Sequence, residues 1–281
     1  MSKYCWATDI HLDHIDDNER LVAFSESLIA SDPSGIFLTG DVSNANRLVY
    51  HLSVIERVVQ RPIFFVLGNH DYYGSSIEQV RKSMRELTNM SQFLRYMPLN
   101  TFLSLSQSTA LVGHDGWYDA LNGNALDSRF LLMDWQLITD FIPHSGGAKF
   151  MNIARAVSDK QSVISLSQKL AHEGVTHMMN GIKAAIKSHK NIVVLTHVPP
   201  FQESHIYKGK VGDSSAQPWY TSKMCGDMLL NAARTYPNTN FTVLAGHTHG
   251  RYDGKPLPNL SVHVGGSEYG SPVPAGLIDV T

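Results

Sequence analysis

The chain of 281 residues is 43% hydrophobic and 17% charged, the composition of a globular protein with room for a sizeable core. Its formal net charge of −2 comes from 23 basic and 25 acidic residues without a run of Lys or Arg, which argues against a dedicated nucleic-acid groove. No stretch is apolar enough to span a bilayer or to form a secretion signal, and the two cysteines, Cys5 and Cys225, make no disulfide framework, so we expect a cytoplasmic protein with reduced thiols.

Five short apolar runs share one pattern, because each of them ends in Asp, Asn or His. They cover residues 3–11, 35–41, 62–71, 191–200 and 240–250. Continuous apolar runs without alternation are typical of strands that are buried on both faces. Apolar residues spaced three and four apart predict helices over 19–30, 45–60 and 75–90, the last with Ser75 and Glu78 as a capping box. Strands that alternate with helices indicate βαβ units and a largely parallel sheet.

The middle of the chain has a different pattern. Residues 119–190 are helix-like, which suggests a helical insertion between the two halves of the sheet, with a cap over the site as its expected role. The tail is strand-like over 260–266 and 275–281, with Gly and Pro turns between them. We therefore expect a single domain over residues 1–281 with a helical insertion or cap around 119–190.

Polar side chains stand at the carboxyl ends of all five predicted strands. In open α/β sheets ligands bind outside these ends, so residues that are distant in sequence are expected to converge. Gly40, Gly68 and Gly246 each directly precede one of them, which allows a sharp turn and a close approach. The candidate ligands are Asp9, His11, Asp41, Asn69, His197, His247 and His249.

This donor set predicts a dinuclear metal centre. Seven candidates are too many for one tetrahedral zinc ion, and they suit two adjacent cations with open positions for water. Imidazole and carboxylate without thiolate favour Mn, Fe or Zn, with Ni or Co as further alternatives.

The motifs resemble those of calcineurin-like metallophosphoesterases. They are Asp9-x-His11, Gly40-Asp41, Gly68-Asn69-His70-Asp71, a lone His197 after a strand, and Gly246-His247-x-His249, in the order found in that family. The resemblance implies an α/β fold, a four-layer αββα sandwich of two mixed β-sheets flanked by helices. It also implies that one metal is held by Asp9, His11 and His249, that the other is held by Asn69, His197 and His247, and that Asp41 bridges them.

The resemblance also gives a catalytic role to His70. Two cations about 3.5–4 Å apart would clamp a phosphoryl group and lower the pKa of a bridging water, whose hydroxide attacks phosphorus in line. His70 would protonate the leaving oxygen or stabilise the charged transition state. Asp71 is the second catalytic candidate, since it is placed to orient His70 or, alternatively, to form a local turn.

Four further residues are candidates for contact with the substrate. His114 and Asp115 end another apolar run, where they would bind substrate, brace the metal ligands or cap a turn. His205 and Asp213 lie in the loop after His197, and such loops often line a site.

One departure from the family pattern bears on the substrate. Protein serine/threonine phosphatases of the family have an Asp and an Arg where this chain has Asn44 and no Arg, which lowers the case for a phosphoprotein substrate. Arg47 or Arg251 would have to replace that Arg.

The sequence therefore predicts a dinuclear metal-dependent phosphoesterase that acts on a small phosphorylated molecule, with nucleotides among the candidates. A phosphodiester is slightly favoured over a phosphomonoester. A metal-dependent nuclease, a non-catalytic binding module on the same fold and a metallohydrolase of amide bonds are the alternatives. The oligomeric state is left open.

Overall fold

The computed structural model describes residues 2–144 and 160–281, which form two mixed β-sheets with helices on the outer face of each sheet. The strands are β1 (Ser2–Ala7), β2 (Gly35–Thr39), β3 (Ile63–Val66), β4 (Leu94–Tyr96), β5 (Leu103–Ser104), β6 (Thr109–Gly113), β7 (Asn191–Leu195), β8 (Ile206–Tyr207), β9 (Lys210–Val211), β10 (Asn240–Ala245), β11 (Tyr252–Leu257), β12 (Leu260–Val264) and β13 (Gly276–Val280). The α-helices are α1 (Asn18–Ser27), α2 (Ala45–Val59), α3 (Ile77–Met90), α4 (Asp134–Leu137), α5 (Lys160–Ala185), α6 (Gln217–Tyr220) and α7 (Lys223–Thr235).

The predicted strands are divided between the two sheets. The first sheet has the order β13-β1-β2-β3-β4, in which β1 to β4 are parallel and β13 is antiparallel. The second has the order β11-β12-β10-β7-β6-β5, with antiparallel strands at both edges. The expected architecture of two mixed sheets flanked by helices is confirmed. The carboxyl ends of β1, β2 and β3 thus come from one sheet, and those of β7 and β10 from the other.

Both faces of the inner strands β2, β3, β6 and β7 are buried, which explains why these strands are unbroken apolar runs in the sequence. In β1, Tyr4 and Trp6 belong to the core between the two sheets, whereas Cys5 and Ala7 belong to the core beneath α1, α2 and α3. Successive side chains of a strand point to opposite faces, so one strand contributes to both layers. A third core lies between the second sheet and the helices α5 and α7.

The helices begin at side chains that cap them. Asp17 caps α1 and Asn44 caps α2, each by accepting a hydrogen bond from a backbone N–H of the first turn. For α3 the predicted capping box is one residue off, because the cap is Ser76, whose hydroxyl accepts from the Gln79 N–H. Ser75 belongs to the preceding turn, where its N–H donates to the Tyr72 carbonyl.

The middle of the chain is less helical than its composition indicates. Residues 119–133 contain turns and irregular segments but no helix, with Gly123 at a φ of 77°, so the predicted helical pattern does not describe this part. The rest of the predicted insertion, up to residue 190, includes α4 and the 26-residue helix α5. Residues 145–159 of the insertion lie outside the described part of the chain. Helix α5 joins the parallel strands β6 and β7 and packs beside α7, so it belongs to the outer layer of the second sheet.

The strand-like tail is confirmed by β12 and β13, and β11 pairs antiparallel with β12 ahead of them. Across residues 2–144 and 160–281, no helix has both the length and the apolar character that a membrane crossing requires.

We predict that His114, at the end of β6, makes folding stability depend on pH. Its Nδ1 accepts the Gly116 N–H at 3.1 Å, and burial lowers the pKa of His114 to about 4 from 6.5. Below pH 6.5 the unfolded chain takes up a proton that the folded chain excludes until about pH 4, so stability falls as pH falls through this range. Between pH 7.5 and 5 the loss from this residue is about 2 kcal/mol.

Urea unfolding of the wild type and of His114→Asn in the presence of a chelator measures this effect. The Asn amide oxygen can accept the same hydrogen bond but does not titrate, so the stability difference between the two proteins should narrow at pH 5. An identical pH dependence for both proteins would contradict the assignment.

Candidate metal centre

The carboxyl ends of strands from both sheets meet at one place and bring the seven predicted ligands together. Strands β1, β2 and β3 lead into Asp9, His11, Asp41 and Asn69, and β7 and β10 lead into the three late histidines. Left-handed backbone conformations occur at five of the seven. Their φ values are 50° at Asp9, 40° at His11, 51° at Asp41, 71° at His247 and 55° at His249. Such conformations are rare for residues with a side chain and cluster at functional sites, where the surrounding structure holds them in place.

Glycines make this close packing possible. A Cβ added to Gly68 would lie 2.1 Å from Asp41 Oδ1, and a Cβ added to Gly246 would lie 2.1 Å from Asp9 Oδ2. Both positions therefore require glycine because a carboxylate occupies the space that a side chain would need.

The first group of ligands consists of Asp9, His11, Asp41 and His249. Each offers one ligand atom, and the four atoms lie within 4.8 Å of one another. His11 Nε2 is 3.0 Å from His249 Nε2, and His249 Nε2 is 3.5 Å from Asp9 Oδ1. His11 Nε2 is also 3.8 Å from Asp41 Oδ2, which links this group to the second.

The second group is centred on the Asn69 side-chain oxygen. Asn69 Oδ1 lies 3.2 Å from His197 Nε2 and 3.0 Å from His247 Nδ1, and His197 Nε2 lies 3.4 Å from Asp41 Oδ1. The other ring nitrogens of the two histidines face backbone carbonyls, at 2.8 Å for His197 Nδ1 to Thr39 and 3.0 Å for His247 Nε2 to Trp219.

This arrangement fits a cation. A carbonyl oxygen only accepts hydrogen bonds, so the N–H of each neutral imidazole is on the nitrogen that faces the carbonyl. In this neutral form, which metal ligation requires, the nitrogens that face Asn69 Oδ1 carry lone pairs and meet an amide oxygen and the Asp41 carboxylate. Metal-bound histidines usually have their other N–H held in this way.

Without an ion, a second proton on His197 offsets negative charge of the buried carboxylates. Burial works against a charged His197, but the carboxylate of Asp41 and then that of Asp9 raise the pKa of His197 to about 10. Burial and the charge of His197 lower the pKa of His247 to about 3. Burial would raise the pKa of Asp41, yet His197 and His70 hold it well below its usual range. The carboxylates therefore hold positive charge here as a proton on His197, and a divalent cation would displace that proton.

His70 lies beside this cluster and faces a cavity. Its backbone N–H donates to Asp41 Oδ1 at 2.9 Å, and its Nε2 is 3.9 Å from Asp41 Oδ2. Its ring stacks on Tyr73 with a centroid separation of 4.3 Å. The side chain remains partly exposed at 20%, so it is accessible from the cavity.

Asp71 does not orient His70 in this structure. Its carboxylate is fully buried and accepts the N–H groups of Ser43 and Gly68, both at 2.8 Å. The alternative of a local turn describes it better, because it ties the loop after β2 to the loop after β3. Burial and the charge of Asp41 raise the pKa of Asp71 well above its usual range.

His114 and Asp115 are buried and do not line the cavity, and the contacts of Asp115 favour the alternative that it braces the metal ligands. Asp115 accepts the Leu67 N–H at 2.8 Å, the Tyr72 hydroxyl at 2.7 Å and the Tyr96 hydroxyl at 2.5 Å. A carboxylate with this many donors is fixed in place, and it holds the chain just before Gly68 and Asn69.

His205 and Asp213 do line the cavity. The His205 ring is buried and stacks on Tyr220 at 4.7 Å with an interplanar angle of 7°. Asp213 is exposed, and its carboxylate accepts hydrogen bonds from the backbone and hydroxyl of Ser215.

Sequence reasoning missed Asp134, which comes from the turn-rich segment and not from a strand end. Its Oδ1 accepts from Asn69 Nδ2 at 2.8 Å and from the Tyr73 hydroxyl at 2.6 Å. A carboxylate only accepts, so this contact fixes the Asn69 amide with its oxygen toward His197 and His247. No local pattern marks Asp134, because the contact is made 65 residues away in the chain.

The cavity beside the cluster has a volume of about 560 Å³. Its lining comprises ligands of the cluster, His70, the substrate candidates His205 and Asp213, and a set of aromatic and aliphatic side chains. That set is Tyr73, Phe130, Leu131, Leu132, Met133, Tyr207, Ala216, Tyr220 and Tyr269.

A family model described as calcineurin-like phosphoesterase matches residues 3–251 of the chain. A sequence comparison of the chain with curated proteins found no match.

Two solved structures are similar in fold. Phosphopantetheinyl hydrolase from Mycobacterium tuberculosis has 14% identity and a TM-score of 0.60, over 94% of this chain and 89% of that chain. A dimetal phosphatase from Danio rerio has 11% identity and a TM-score of 0.55, over 94% of this chain and 87% of that chain.

We predict that Asp134→Ala weakens metal binding. Without its acceptor the Asn69 amide is free to rotate, and loss of such supporting contacts typically costs about 10–100-fold in metal affinity. Competition with a chromogenic chelator for Mn²⁺ or Zn²⁺ measures this, with circular dichroism as the check on folding. Asp127→Ala is the matched control, because Asp127 is an exposed residue of the same segment. Equal metal affinity in the two variants would contradict the role of Asp134.

Proposed function

Because the chain belongs to the calcineurin-like phosphoesterase family, we propose that it is a phosphoesterase with two metal ions that hydrolyses a phosphodiester. Family membership supports metal-dependent phosphoester hydrolysis in general. The number of ions, their identity and the kind of ester are the specific parts of the proposal.

One observation supports the proposal above all others. Seven nitrogen and oxygen donors form two adjoining groups that share Asp41, directly beside His70 and an open cavity. In this proposal Asp9, His11 and His249 hold one ion, Asn69, His197 and His247 hold the other, and Asp41 contacts both. When bound, such ions neutralise charge on the phosphoryl oxygens and make a hydroxide nucleophile available near neutral pH. The donors include no thiolate, which favours Mn, Fe or Zn, with Ni or Co as alternatives.

His70 serves as the general acid in this proposal. It reaches the cavity, contacts Asp41 through its backbone and is held in position by the stacked Tyr73 ring. From this place it carries the proton that the leaving oxygen needs, or stabilises negative charge as that charge develops. Asp71 and Asp115 keep the loops on either side of His70 in position through buried hydrogen bonds.

The lining of the cavity favours a diester over a monoester. None of the described residues that line it carries a guanidinium or ammonium group. Arg47 pairs with Asp16 at 3.6 Å and Arg251 with Asp253 at 3.1 Å, and neither of them lines the cavity. A monoester dianion has more charge to neutralise than a diester monoanion, and this chain offers it no clamping arginine there.

A metal-dependent nuclease is the second candidate, since it would use the same ions. A binding module that retains the fold without turnover is the third. An assay on single-stranded DNA tests the nuclease. A panel of nucleotides and phosphorylated metabolites, run beside elemental analysis of the purified protein, identifies the substrate class and the ions.

We expect Asp41→Ala to reduce turnover of bis-p-nitrophenyl phosphate with Mn²⁺ by about 100-fold or more, because both groups of ligands lose a member. Asp16→Ala is the matched control, since Asp16 is a surface carboxylate with 94% exposure. Full activity of the Asp41 variant in the presence of metal would overturn the two-metal assignment, and no turnover by the wild type with any added metal would count against a phosphoesterase.

We expect His70→Ala to lower kcat by about 10²-fold or more while the metal content stays at the wild-type level, because His70 assists proton transfer without being a ligand. Steady-state kinetics and elemental analysis of the same preparation separate the two effects. His172→Ala, at an exposed position of α5, is the control. Loss of metal from the His70 variant would place this residue among the ligands instead.

A further inference from the structure

Large apolar side chains are exposed around the mouth of the cavity. We call Phe130, Met133, Tyr207 and Tyr269 the apolar rim; their exposed fractions are 37%, 38%, 61% and 47%, and all four line the cavity. They come from three separate parts of the chain, including the hairpin of β8 and β9 that carries Tyr207. Exposed apolar residues that gather at one opening indicate a surface that binds something.

The space behind the apolar rim is also apolar. Leu131, Leu132, Ala216 and Tyr220 continue the lining inward toward the metal ligands. The centroid of the Tyr220 ring lies 5.2 Å from that of the His247 ring, so this surface reaches a ligand of the proposed second metal position. The volume of about 560 Å³ falls in the range of roughly 300–1,000 Å³ that pockets for small organic molecules occupy, and a phosphoryl group alone would leave most of it unfilled.

The charge of the lining narrows the class of ligand. The exposed carboxylate of Asp213 stands at this cavity, and the described residues of the lining include no Lys or Arg. A substrate that carries a further phosphate or carboxylate on its organic part would meet repulsion here.

We propose that the apolar rim and the surface behind it bind an uncharged, predominantly apolar organic group of the substrate, which places the substrate among phosphodiesters of aromatic or aliphatic alcohols and not among polyphosphates. The inference rests on the proposed function, because the phosphoryl group must lie at the metal ligands for its ester group to reach the rim. The segment of residues 130–134 would contribute to both ends, since Phe130 and Met133 belong to the rim and Asp134 holds Asn69.

Binding of three phosphonates to the Mn²⁺-loaded protein, measured by isothermal titration calorimetry, tests the inference. Methylphosphonate, phenylphosphonate and 4-carboxyphenylphosphonate share one anionic head group and differ only in the organic part. We expect phenylphosphonate to bind at least about tenfold more tightly than methylphosphonate, because the ring is removed from water. We expect 4-carboxyphenylphosphonate to bind several-fold more weakly than phenylphosphonate.

A variant with two substitutions tests whether the apolar rim causes the preference for phenylphosphonate. In Phe130→Ala combined with Met133→Ala, the ratio of phenylphosphonate to methylphosphonate affinity should fall to about threefold or less, while methylphosphonate affinity stays unchanged. Leu126→Ala is the matched control, because Leu126 is an exposed apolar residue of the same segment that does not line the cavity. It should keep the wild-type ratio.

The outcomes are distinguishable. Equal affinity of the wild type for methylphosphonate and phenylphosphonate overturns the inference and leaves the proposed function standing. Equal affinity for phenylphosphonate and its carboxylated form overturns the restriction to uncharged groups. A protein that takes up Mn²⁺ but neither binds any of the three phosphonates nor hydrolyses bis-p-nitrophenyl phosphate contradicts the proposed function itself.

Discussion

The structure depends on one constraint, which is that acceptor groups from five strand ends meet so closely that a positive charge must lie between them. The backbone carbonyls of Thr39 and Trp219 accept from the N–H groups of His197 and His247, so both rings, when neutral, present lone pairs to the Asn69 oxygen. Asp41 adds a carboxylate that is 1% exposed. Acceptors held this close repel one another unless a positive charge lies between them. The remainder of the fold keeps them in place against that repulsion.

Buried carboxylates outside the ligand set provide much of this support. Asp71 ties together the loops after β2 and β3, Asp115 holds the chain just before Asn69, and Asp134 holds the Asn69 amide. Each is at most 1% exposed and accepts at least two hydrogen bonds. Removing any of these carboxylates would leave buried hydrogen-bond donors without partners, which would lower the stability of the fold. The geometry of the centre is therefore maintained by residues that need not touch an ion.

The sequence was sufficient to predict that the seven candidate ligands converge, because strand ends and their glycines are local features that recur at Gly40, Gly68 and Gly246. It was not sufficient for contacts decided by tertiary packing. Asp134 lies in a segment without periodicity, and the carboxylates of Asp71 and Asp115 point to backbone groups that no spacing rule connects with them. The division of the strands between two sheets also depends on contacts between residues that are distant in sequence. It was expected only because of the family resemblance. A strand that is buried on both faces has the same apolar sequence pattern whether a helix or another sheet covers it.

The ligands lie between residues 9 and 249 and come from both sheets, so an unfolded chain cannot present them together. An ion that binds there interacts with the native arrangement far better than with the denatured ensemble. By mass action, the free energy of unfolding should therefore rise with the concentration of free metal. Supply of the cation in the cell would then affect how long the protein survives proteolysis, as well as whether it is active.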